Sequence, residues 1–151
     1  MSGNKNNKVL DIEVYESSKS GNKLSNINTI AKARDTVRII LNPEEQYQQI
    51  SGIGGSFSES SAYLLNQISK KNRDRIIEAY FEETGARYSL TRTHMNSCDF
   101  SLGNYSFAPV AGDMDLQHFS VDEDRDDIIP MIKDAMAVSK DGFKVMASPW
   151  T

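Results

Sequence analysis

Tyr88-Ser89-Leu90-Thr91-Arg92-Thr93-His94-Met95-Asn96-Ser97-Cys98-Asp99-Phe100-Ser101 is the stretch on which the fold turns. Residues 88–94 carry the β-branched and aromatic composition of a strand, and the run ends in a cluster of polar and reactive side chains. Because side chains alternate along a strand, Arg92 shares a face with Leu90 and His94. A guanidinium buried there needs an anionic partner, since an uncompensated interior charge costs several kcal/mol, and no carboxylate of the sequence stands out for the role.

Upstream, Gln48-Gln49-Ile50-Ser51-Gly52-Ile53-Gly54-Gly55 reads as a strand running into a glycine-rich turn, and residues 56–61 open a helix whose apolar side is Leu64, Leu65 and Ile68. Ser69 is placed to cap a second helix bearing Ile76, Ile77, Tyr80 and Phe81, which Gly85 closes as a C′ glycine. Downstream, residues 96–119 form a long connection without periodicity, a length at which loops in compact domains are usually functional or disordered. Ser120-Val121-Asp122-Glu123 has capping-box form, Pro130 belongs in a first helical turn, and Ile129, Ile132 and Met136 supply an apolar stripe up to Gly142. A last strand covers residues 143–148, before Pro149-Trp150-Thr151.

The order strand, helix, strand, helix, strand gives an α/β fold with a parallel sheet. A last strand with no helix after it leaves its pairing edge open. A closed (β/α)8 TIM barrel takes about 250 residues, so this chain reads as the opening third of one. Ahead of it, residues 1–7 read as disordered, and short strands are expected around Val9–Tyr15, over 24–30 and over 36–41, a small antiparallel β element.

Composition is that of a soluble globular protein. A net charge of -4 argues against a nucleic-acid or anionic-membrane surface, because phosphate binding needs a dense basic face. Cys98 is the only cysteine, which rules out an internal disulfide and a multi-cysteine metal site. The start lacks the apolar core of a signal peptide and no run approaches a membrane span, so the chain as written reads as untargeted and cytoplasmic, or as secreted or lysosomal-type if a leader precedes it. Asn104-Tyr105-Ser106 is an N-glycosylation sequon, meaningful only in a secretory pathway.

In parallel α/β folds, sites lie beyond the C-terminal strand ends. Gly54 to Glu59, Met95 to Phe100 and Trp150 all fall there. The glycines do not make a dinucleotide fingerprint, whose third glycine falls at Phe57; a turn passing close to a ligand or helix is the better reading. Glu59 stands near a helix start, where a dipole role and a site role are both open. Asp99 on a strand-end loop is either an Asx-turn cap or a bidentate acceptor for neighbouring sugar hydroxyls. Trp150 is either core or the flat platform a pyranose stacks on. His94 reads as a hydrogen-bonded structural histidine, His118 has no paired ligand, and Cys98 reads as a small buried thiol rather than a nucleophile.

Gly52-Ile53-Gly54-Gly55-Ser56-Phe57-Ser58-Glu59, Ala79-Tyr80-Phe81, Arg92 with residues 95–101, Asp115-Leu116-Gln117-His118-Phe119-Ser120, Ile129-Pro130-Met131-Ile132 and Ala147-Ser148-Pro149-Trp150-Thr151, in this order, resemble glucosylceramidases of glycoside hydrolase family 30. The resemblance implies a TIM barrel preceded by an accessory β-sandwich-like domain, with residues 8–45 in the latter and 46–151 forming the first three barrel strands. It implies that Asp99 binds glucose hydroxyls, that Trp150 lines the glucose pocket, and that Arg92 supports the site near the nucleophile. Such enzymes look like retaining glycosidases, which use two carboxylates about 5 Å apart. By resemblance both glutamates lie beyond Thr151, and no Asn-Glu pair occurs in the sequence to stand in for the acid/base. The implied substrate is glucosylceramide or a related β-glucoside, with no metal or organic cofactor, and the implied partner is the rest of the same barrel. Another β-linked glycan, such as a β-1,6-glucan or a xylan, and a non-catalytic sugar-binding segment are the alternative readings.

Overall fold

The computed structural model describes residues 12–28 and 37–150, which fall in two compact units, 1–46 and 47–151. In the first unit, β1 (Tyr15–Glu16) pairs antiparallel with β2 (Ser25–Asn26), Tyr15 lying opposite Asn26. The turn between them is tied by Asn22, whose amide donates to Glu16 at 2.9 Å. The strand expected over 36–41 is not found: residues 37–41 form none, and Val37 is 92% exposed. An apolar run becomes a strand only when its backbone groups find a ladder, and no described segment offers one. Residues 1–7, on which the disorder expectation falls, and Val9, residues 29–30 and Thr36 lie outside the described residues.

The second unit carries a parallel sheet in the order β3 (Ser56–Phe57), β4 (Leu90–Met95), β5 (Lys144–Pro149). The α/β reading with a parallel sheet therefore holds, and the sheet is an open three-stranded part of a barrel. The first strand sits later than expected. Backbone pairing begins where Ser89 N–H donates to the Ile53 carbonyl at 2.9 Å and continues with Arg92 N–H on Gly55 at 3.1 Å. Gly54 explains the glycine-rich run, since a Cβ there would stand 1.9 Å from the Leu90 carbonyl oxygen. The turn thus presses on the neighbouring strand.

Between β3 and β4 lie α1 (Glu59–Gln67), capped by Ser58, and α2 (Lys70–Phe81), capped by Ser69 as its position predicts. Gly85 is not the C′ residue: α2 ends at Phe81, and Gly85 packs in the following turn, where a Cβ would meet the Ala79 carbonyl oxygen at 2.4 Å. After β4, a single 3-10 turn at Asp122–Asp124 precedes α3 (Ile128–Val138). Its cap is Asp127, which accepts from the Ile128 N–H; Ser120 instead accepts from Asp122 N–H in a local turn, so the capping-box reading fails. Starting the helix at Ile128 rotates the apolar face: Ile128, Met131 and Ala135 are buried, whereas Met136, expected inside, is 63% exposed.

These residues join Phe57, Ala62, Leu65, Ile77 and Phe81 in one core on the helix side of the sheet, with Tyr88 and Phe143 packed against it. Phe57 stacks on Phe81 at 5.5 Å between centroids, and Phe143 leans on both. Arg73 on α2 pairs with Asp134 on α3 at 2.7 Å, which fixes the two helices side by side. β5 is exposed along almost its whole length, so the open edge expected from the element order is present. No helix among the described residues is long and apolar enough to cross a membrane.

Candidate functional site

The polar groups singled out in the sequence gather at the C-terminal ends of β4 and β5. Arg92 on β4 lies opposite Met146 and points to the same side as Ser148, to whose hydroxyl its Nη2 donates at 3.1 Å. Its guanidinium carbon stands 5.0 Å from the centroid of the Trp150 ring, a cation–π arrangement. Arg92 has no carboxylate partner among the described residues. Trp150 is not core: it is 37% exposed, and its backbone N–H continues the ladder by donating to the Met95 carbonyl at 3.3 Å.

Across from Trp150, the loop leaving β4 carries Asp99. Ser97, Cys98, Asp99, Ser101, Asn104 and Trp150 border an open cleft of about 490 Å³. The Asx-turn alternative fails, because it is Ser101 Oγ that accepts the local N–H, that of Cys98 at 3.0 Å, and Asp99 makes no hydrogen bond or ion pair among the described residues. An exposed carboxylate left unpaired beside an aromatic ring is free to accept two donors from outside. Cys98 is half-buried and takes a contact from the Ser101 hydroxyl at 3.8 Å, as expected of a packed thiol.

Behind this loop is a buried polar cluster that the sequence reading did not find. Glu59, His94, Asp124 and Asp127 are all buried, Glu59 at 6% exposure and His94 at 4%. Tyr105 donates its hydroxyl to Asp124 Oδ1 at 3.0 Å. Burial pushes the Tyr105 phenol up, helped by the Asp124 carboxylate that accepts its proton. Burial likewise raises the Asp124 carboxyl; the Tyr105 donor and His94 pull it down, and Asp127 and Glu59 add to the rise. The His94 ring meets the Asn96 carbonyl through Nδ1 at 2.7 Å, whereas its Nε2 and Glu59 Oε2 have no partner. Only the helix-start position of Glu59 and the reading of His94 as a hydrogen-bonded structural histidine hinted at this cluster in the sequence, because Tyr105 comes from a loop without periodicity and Asp124 from a run that reads as a helix start. No group of three or more His, Cys, Asp or Glu residues among the described ones is arranged to hold a metal ion.

A parallel sheet backed by helices, with its polar side chains collected at the C-terminal strand ends, is the layout of a (β/α)8-barrel enzyme. The family model of the glycosyl hydrolase family 30 TIM-barrel domain matches residues 50–151, and the chain belongs to this family of glycoside hydrolases. The lysosomal acid glucosylceramidase of Mus musculus is 30% identical over 141 residues, covering 91% of this chain and 27% of that protein. Among solved structures, SrfJ from Salmonella typhimurium is 36% identical with a TM-score of 0.68, over 80% of this chain and 27% of that one. An endo-β1,6-glucanase is 28% identical with a TM-score of 0.71, over 92% of this chain and 30% of its own. The chain thus spans less than a third of each of these relatives.

Proposed function

We propose that these residues form the sugar-gripping wall of a retaining β-glucosidase of the glucosylceramidase type. The observation that carries the reading is the unpaired Asp99 carboxylate in the same cleft as the half-exposed Trp150. Asp99 accepts two hydrogen bonds from adjacent glucose hydroxyls, charge-assisted bonds that are short and strong. Trp150 offers its ring to the apolar C–H face of the sugar. Arg92, stacked on that ring and lacking a carboxylate, supplies positive charge for the nucleophilic glutamate. Acid/base and nucleophile are assigned to glutamates outside these 151 residues, so the chain by itself binds without turning over. Residues 8–45 belong in this reading to an accessory β domain, and the β1–β2 hairpin supports it.

Calorimetric titration of the 151-residue chain with a β-glucoside, paired with release assays on a fluorogenic β-glucoside, tests the reading. Saturable binding weakened about tenfold or more by Asp99→Ala yet still measurable, without turnover, is the expected result; turnover by the chain, or binding indifferent to Asp99→Ala, overturns it. The structural likeness to the endo-β1,6-glucanase supports a second reading, a β-1,6-linked glucan as substrate. Titration with gentiobiose against glucosylceramide in micelles separates the two.

A further inference from the structure

We propose that His94 and Asn96 are positioning residues that set where the loop presents Asp99. Asn96 is the first residue after β4 and adopts φ 63, in the left-handed region that a non-glycine residue enters only at a cost. Three bonds hold it and its neighbour there. The His94 ring donates from Nδ1 to the Asn96 carbonyl at 2.7 Å. The Asn96 side-chain oxygen accepts from the Phe107 N–H at 2.9 Å, and the Ser97 N–H donates to the Tyr105 carbonyl at 3.1 Å. At the other end of the loop, the Phe100 carbonyl accepts from the Ser60 N–H at 3.0 Å, in the first turn of α1. Asp99 therefore sits between two pinned points, with no bond from its own side chain to any described residue.

The acceptor fixes the role of Nδ1. A carbonyl only accepts, so Nδ1 carries a proton, and Nε2 is the buried atom without a hydrogen-bond partner among the described residues. Leaving such an atom unsatisfied is a cost that a residue retained for packing alone would not need to carry. A histidine at this position is explained by the short reach of Nδ1 back to a carbonyl two residues on, a geometry the side-chain amide of asparagine also offers.

The inference rests on Asp99 being the sugar acceptor, and the experiment separates the two. Amide hydrogen exchange over residues 97–101 reads loop position without any sugar. His94→Leu is expected to speed exchange there, His94→Asn to restore much of the protection by donating its amide to the same carbonyl, and exchange in α2 to stay unchanged in both. Asn96→Gly, which keeps the left-handed backbone, is expected to disturb the loop less than Asn96→Ala, which does not. In β-glucoside titrations His94→Leu is expected to weaken binding about fivefold to tenfold, the size of one lost hydrogen bond, and to add nothing in an Asp99→Ala background. Unaltered loop exchange in His94→Leu, no recovery in His94→Asn, or a full additive penalty beside Asp99→Ala overturns the inference. Loop exchange that follows the prediction while Asp99→Ala leaves binding intact overturns the sugar reading instead.

Discussion

At the scale of single residues, the hardest constraint belongs to Gly54. The atom its missing Cβ would strike is a backbone carbonyl of β4, which has no rotamer to move into. Gly54→Ala is expected to lever β3 from β4 and to cost about 3 kcal/mol or more, read as a fall in the urea midpoint. Gly55→Ala is the control, because its added carbon would meet only the Tyr88 ring edge at 3.3 Å. Asp124 governs a pH dependence of opposite sign to that of an ion-paired carboxylate. Its folded pKa is raised above the usual 3.8, chiefly by burial, so the stability linked to its proton is complete below pH 3.8 and is lost as pH rises through the folded value. Asp124→Asn keeps an oxygen for the Tyr105 hydroxyl and has no charge to bury. Its unfolding midpoint should match that of the parent protein at acid pH and exceed it increasingly above pH 3.8, in denaturation curves taken across the range.

At the scale of elements, capping divides what was legible from what was not. Ser69 before an amphipathic run is a local signal, and the helix starts where the signal lies. Ser69→Ala is accordingly expected to cost about 1 kcal/mol, measurable as a lower thermal midpoint without change in the sheet. Ser120 gives an equally good local signal and is overruled, because the chain first needs the 3-10 turn that brings Asp124 to Tyr105. The helix then begins at Ile128, and the buried stripe moves by one position along the chain. Tertiary demands of that kind leave no periodic trace. The same holds for Glu59, which is buried behind the loop carrying Tyr105 and the turn carrying Asp124, whereas His94 is the hydrogen-bonded structural histidine its position predicts. By contrast, the placing of Arg92, Asp99 and Trp150 toward the C-terminal strand ends follows from alternation and element order, while the sugar-binding roles proposed for them come from the family resemblance.

At the scale of the whole molecule, the sheet stops at a strand whose outer edge pairs with no other strand among the described residues and whose side chains Val145 and Met146 are exposed. Such an edge is a template for another strand. The 151-residue chain is expected to associate in a concentration-dependent manner in sedimentation velocity runs, and Val145→Lys with Met146→Lys to shift it toward monomer. Association unaffected by both changes would place the contact elsewhere.

The Arg92–Trp150 stack bears on how a guest is received. An indole has two flat sides, and the guanidinium covers one. Under the sugar reading proposed above, a hexose meets the ring from the opposite side, so its orientation is chosen before any hydroxyl is gripped. Under the same reading, substituting lysine for that arginine conserves the charge and gives up the broad guanidinium that covers the ring's other side.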